Sequence, residues 1–129
     1  MSNEYENASG IPTGAFRDAI YDLVAKIPEG KLMTYGDVSV LCGLAHGARL
    51  VGGIAHYGPI DLPWQRVVNR FGGLASGWTG SCTDHKLGTT GAPNGRAGHK
   101  MVLEAEGIPV NDDYIVEDFA ERRWLPSNR

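Results

Sequence analysis

The chain has 129 residues, room for one compact domain and not for two ordinary ones. Its 42% hydrophobic content separates it from disordered chains, and no stretch approaches the roughly 20 apolar residues of a membrane span. Net charge is −3, yet residues 31–100 hold seven Lys/Arg against three acids while the remainder holds five against twelve. Salt screens charge over roughly 8–10 Å, so local excess matters more than the total. A basic middle between acidic ends fits one DNA-facing surface, and it also fits an ordinary solvated surface.

Residues 1–12 read as a flexible lead-in. MSNEYENASG lacks the basic and apolar regions of a signal peptide, which makes a cytoplasmic location the expectation. A first helix is expected from Thr13, with Thr13 as N-cap and Phe16, Ile20, Leu23, Val24 and Ile27 at helical spacing. Pro28, Glu29 and Gly30 stop it, and Lys31, Leu32 and Met33 read as short and extended. Thr34 then caps a second helix over Tyr35 to Leu41, with Asp37 completing a variant of the capping box. After Gly43 a third helix runs from Gly47 to His56, with Leu50, Val51 and Ile54 as its apolar face. Two short helices around a glycine-containing turn read as helix-turn-helix, although spacing alone describes many helical hairpins.

Val67 and Val68 form a short buried segment. Seven of the 18 glycines fall between Gly72 and Gly95, which marks residues 72–97 as a long glycine-rich loop. A helix over Ala97 to Glu106 follows, with Met101, Val102 and Ala105 facing inward. Tyr114 to Val116 reads as a strand and Phe119 to Trp124 as a final turn or short helix, so one domain occupies 13–125 and 126–129 form a tail. Cys42 and Cys82 supply no disulfide framework and suit a reducing compartment. Cys82, His85 and His99 invite a zinc reading, but without a paired Cys-x-x-Cys the expectation is no metal and no cofactor.

Four motifs in order carry a resemblance. They are the run Ile27 to Val38, Ala48-Arg49-Leu50-Val51-Gly52-Gly53, Leu62-Pro63-Trp64-Gln65-Arg66-Val67-Val68-Asn69, and Leu103-Glu104-Ala105-Glu106-Gly107-Ile108. Together they resemble the DNA-binding domain of the O6-alkylguanine-DNA alkyltransferases. The resemblance implies a mainly α fold, a winged-helix-like helix-turn-helix DNA-binding domain with short β segments. Trp64 stands where the family's Pro-Cys-His-Arg-Val motif has its reactive cysteine, and Gln65 stands at the following histidine. That substitution marks the alkyltransferase-like subfamily.

The chemistry follows from the residue types. Alkyl transfer to protein needs an activated thiolate, whereas an indole has no usable lone pair and Gln65 takes no proton at neutral pH. Trp64 still offers a flat face for a base or alkyl group, the alternative being a core tryptophan. An alkyl group on guanine O6 is buried in duplex DNA, so a reader must extrude the nucleotide. By the resemblance, Arg49 enters the stack, Tyr35 rotates the phosphate and contacts the flipped base, and Thr34 adds a phosphate contact to its capping role. Ala48, Gly52 and Gly53 complete the DNA-binding surface. The two glycines serve either close approach to the minor groove or tight helix packing. Tyr35, Trp64, Arg66, Ser76 and Trp78 form the lesion pocket, with Asn69 and Glu106 as structural support. The implied partners are duplex DNA containing O6-alkylguanine and nucleotide excision repair proteins, with the protein acting as a monomer. Two rivals are an alkyltransferase using Cys82 or Cys42 and a winged-helix transcription regulator. The regulator has no need of Pro63-Trp64-Gln65-Arg66.

Overall fold

A computed structural model describes residues 13–57, 62–78 and 95–126. Helix α1 spans Thr13–Ala25 and buries Phe16, Ile20 and Val24 on one stripe, with Ile27 buried just beyond its end. Thr13 is already helical, so the helix does not begin after it as an N-cap would require. Gly30 ends the following turn at φ +84°, and Lys31 N–H donates to the Pro28 carbonyl, which keeps Lys31 out of the extended segment.

Strand β1, Met33–Thr34, runs parallel to β2, Val67–Val68, with Met33 opposite Val67 and Thr34 opposite Val68. In this parallel register the 3-10 turn Trp64–Arg66 enters β2 at the Leu32 end of the pair, and α2 (Tyr35–Leu41) leaves β1 at the other end. Helix α3 spans Ala48–His56 with Gly47 as its N-cap. The apolar stripe expected of α3 holds: Val51 is buried, and Leu50 and Ile54 pack partly buried on the same cluster.

Helix α4 is Arg96–Ala105, one residue earlier than expected, and its inward face differs. His99, Val102 and Leu103 are buried, whereas Met101 is 50% exposed and Ala105 is exposed. An inward histidine interrupts the apolar pattern on which the sequence reading rested. No strand forms over Tyr114 to Val116. Tyr114 has φ +62°, outside strand geometry, and the region pairs only through isolated bridges, Gly73 with Ile115 and Val110 with Val116. Helix α5 is Phe119–Arg122. It stops short of Trp124 because Arg123 turns extended and bridges to Leu32, just before β1. Leu32 N–H donates to the Arg122 carbonyl at 2.9 Å, and Trp124 N–H donates to the Leu32 carbonyl at 2.7 Å.

Two main clusters form the interior. One joins α1, α2, α3, Trp64 and Val67; the other joins Leu32, Val68, Leu74, Leu103, Ile108, Val110 and Val116. The fold is mainly helical with a short two-stranded sheet, as the resemblance implied. No helix among the described residues is long and apolar enough to cross a membrane. Residues 79–94, most of the glycine-rich loop with Cys82 and His85, lie outside the described residues.

Candidate nucleic-acid interface

Local chemistry sets the turn at the start of α2. Thr34 Oγ1 accepts from Asp37 N–H at 2.9 Å and Asp37 Oδ2 accepts from Thr34 N–H at 3.1 Å, a reciprocal capping box at the start of α2. Thr34 is buried, so a phosphate would meet only the remaining O–H donor of its hydroxyl. Burial alone would raise the Asp37 carboxyl, but hydrogen bonds from Arg123 and the Thr34 backbone outweigh it and hold the group below its usual 3.8. Tyr35, the first residue of α2, is half-buried against the first cluster, and burial pushes its hydroxyl up to about 12.

The turn between α2 and α3 is built on Ser39. Its Oγ donates to the Leu44 carbonyl and accepts from Gly47 N–H at 2.9 Å. A Cβ at Gly47 would lie 2.5 Å from Ser39 Oγ and 2.6 Å from Leu44 Cδ2, so glycine is required by close approach.

Helix α3 then divides cleanly. Positions 48, 49, 52, 53 and 56 fall within one arc at 100° per residue, opposite Leu50, Val51 and Ile54. Ala48, Arg49, Gly53 and His56 are exposed and Gly52 is half-buried. A Cβ added at Gly52 or Gly53 meets nothing within 4 Å. Tight helix packing therefore gives no reason for these glycines among the described residues.

Beside this face a cavity of about 640 Å³ opens between α1 and α3. Arg17 and Tyr21 line it from α1, and Arg49, Gly53, Ile54 and Tyr57 from α3 and its end. Sequence reasoning missed Arg17 and Tyr21. Tyr21 adjoins the buried stripe of α1, a visible but weak signal.

The residues expected to form the lesion pocket sort into two groups. Trp64 is 4% exposed and packs in the first cluster, its ring edge-on to Tyr21 at a centroid distance of 6.0 Å, so it sits as a core tryptophan and does not itself line the cavity. Arg66 points inward: Nε donates to both Glu106 carboxylate oxygens at 3.0 Å, and Nη1 donates to the Ile27 carbonyl at 2.9 Å. Glu106 also accepts from Gln65 Nε2 at 2.8 Å and from Gly30 N–H at 3.0 Å. Arg66 thus contributes nothing to a DNA-facing charge excess. Ser76 and Trp78 lie on a separate segment, Ser76 exposed and Trp78 buried and stacked on His99 at 5.7 Å. Asn69 ties its own turn, its Oδ1 accepting from Phe71 N–H at 2.9 Å and Gly73 N–H at 2.7 Å.

His99, considered in the sequence only as a metal ligand, has both ring nitrogens engaged. Nδ1 accepts from Ala75 N–H at 3.1 Å and Nε2 lies 2.8 Å from the Gln65 carbonyl. Burial pushes it down to about 4, against the smaller opposing effect of the Gln65 bond. Among the described residues no three His, Cys, Asp or Glu side chains are placed to hold a metal ion.

A helix-turn-helix with a bare-faced second helix is the architecture of a DNA-binding domain, and comparison with known proteins agrees. The family described as 6-O-methylguanine DNA methyltransferase, DNA binding domain, matches residues 15–108. The chain is 46% identical over 112 residues to an Escherichia coli protein named DNA base-flipping protein, covering 85% of this chain and 74% of that one. It is 39% identical over 116 residues to alkyltransferase-like protein 1 of Schizosaccharomyces pombe, covering 86% and 95% of the two chains. The crystal structure of S. pombe Atl1 in complex with damaged DNA containing O6-carboxymethylguanine superposes with a TM-score of 0.68 at 27% identity, over 90% of this chain and 100% of that one. The chain belongs to this family, in its alkyltransferase-like, base-flipping branch.

Proposed function

We propose that this protein is a non-enzymatic reader of O6-alkylguanine in duplex DNA. Helix α3 docks in the minor groove, the damaged nucleotide is flipped out, and the protein, acting as a monomer, flags the site for nucleotide excision repair. The observation that carries this reading is the outward face of α3. It presents exposed Arg49 next to two glycines whose missing side chains leave open space. Such a face lets a helix approach the groove closely while one cationic plane enters the stack and meets the orphaned partner base. The relatives support the same reading, one named for base flipping and one crystallised on alkylated DNA.

Flipping without repair fits the residues at hand. Trp64 and Gln65 occupy the positions where the resemblance puts the nucleophile and its neighbouring histidine. Cys42 is a poor substitute: burial, reinforced by the charge of Asp22, pushes its thiol up to about 11. Tyr35, Ser76 and Trp78 would border the flipped base, with Trp64 and Arg66 supporting the pocket from behind its surface.

Titration of matched duplexes containing guanine or O6-methylguanine tests the reading. The expected result is tighter binding of the modified duplex, with Arg49→Ala weakening both and added salt weakening both. Equal affinity of the wild-type protein for the two duplexes overturns it. An intact mass unchanged after incubation with methylated DNA is expected, and a stable alkyl adduct would restore the enzyme reading.

A further inference from the structure

We propose that His99 is a positioning residue that sets which O6-alkyl groups fit, by holding the Leu74–Trp78 segment against the Trp64–Arg66 turn. This rests on the reading that Ser76 and Trp78 border the flipped guanine.

The segment is suspended rather than packed into a helix or strand. Leu74 N–H donates to the Tyr114 carbonyl at 3.0 Å, and the Trp78 carbonyl accepts from Gly95 N–H at 2.7 Å. His56 Nδ1 lies 2.9 Å from the Gly77 carbonyl, tying the segment to the end of α3. His99 supplies the tie to the Trp64–Arg66 turn. It grips Ala75 N–H with Nδ1 and the Gln65 carbonyl with Nε2, and its ring lies 16° from parallel to the Trp78 indole. One imidazole thus spans two backbones that would border opposite sides of the pocket.

The two partners demand opposite chemistry. A carbonyl needs a donor and an N–H needs an acceptor, and only the neutral ring with its proton on Nε2 supplies both. A protonated ring would turn an N–H against the Ala75 N–H. Full burial pushes the ring down to about 4 and so keeps it neutral, and the spacing held, around neutral pH. Exposed Ser76 lies between the His99 tie at Ala75 and the His56 tie at Gly77, so a change at His99 frees one end of it from the turn while the tie to α3 stays.

The test measures binding of wild type, His99→Leu and His99→Asn to duplexes carrying guanine, O6-methylguanine or O6-benzylguanine. Leucine removes both ties, while asparagine keeps an acceptor for Ala75 N–H. His99→Leu is expected to shift the benzyl-to-methyl affinity ratio about tenfold, the effect of roughly one buried hydrogen bond, with affinity for the unmodified duplex changed less than about twofold. His99→Asn should lie between. An unchanged ratio in both variants, with wild type still preferring modified DNA, overturns the inference alone. No preference in wild type removes the underlying reading and the inference with it. If His99→Leu fails to fold, the asparagine variant and the wild-type ring decide. Long-range proton–nitrogen correlation at pH 6 should show a neutral ring protonated on Nε2, and any other state overturns the proposal.

Discussion

Glu106 is where single residues weigh most. Its fully buried carboxylate collects donors from three places: the stop after α1 at Gly30, the turn at Gln65, and the guanidinium of Arg66. A buried ion pair is weak evidence for stability, but removing one partner is costly because the other charge stays behind. Glu106→Ala is therefore expected to destabilise the protein by about 3–5 kcal/mol, read from the urea midpoint. Glu106→Gln, which keeps an acceptor for Gly30 N–H, should lose less. A loss under about 1 kcal/mol for the alanine variant would mean Arg66 finds water instead. The resemblance placed Glu106 as structural support and Arg66 in the pocket without pairing them, because partners 40 residues apart leave no periodic trace. The bonding role of His99 was hidden for a related reason: a histidine in a sequence shows its capacity to bind a metal and hides the backbone groups that occupy it.

Elements were legible where their causes are local. The limits of α2 and the capping box of Thr34 and Asp37 could be read directly, since cap, helix start and acid lie within four residues. The face of α4 and the bridges around residues 110–116 depend on partners far along the chain, and there the reading slipped. Helix α3 offers a separation of folding from function. Gly53 is exposed on a helix with room for a Cβ, so Gly53→Ala should stabilise the free protein by up to about 1 kcal/mol. The same methyl group would stand between α3 and the groove, weakening binding to every duplex. Thermal unfolding and DNA titration of one variant should thus move in opposite directions. Unchanged DNA affinity would show that this face does not approach the groove closely.

Across the whole molecule, acid stability should carry the signature of His99. Its pKa is about 6.5 when unfolded and about 4 when folded, so between those values the unfolded chain binds the extra proton. Stability should fall as pH drops through that window, by up to about 3 kcal/mol. The Asp37 contribution is separate: its carboxyl is held below 3.8, so that part is present above this value and fades only in stronger acid. Urea midpoints at pH 7 and 4.5 should differ more for wild type than for His99→Gln, and equal differences would assign the slope to other groups.

Residues 122–124 also bear on the proposed docking. They lie along Leu32, and Arg123 pairs with the Asp37 that caps α2. This stretch is therefore a fastener for the opening turn of α2, nearly ninety positions away. Shortening the protein before residue 122, or loading a fusion onto that stretch, would loosen its grip on nucleic acid while every groove-facing side chain stayed intact.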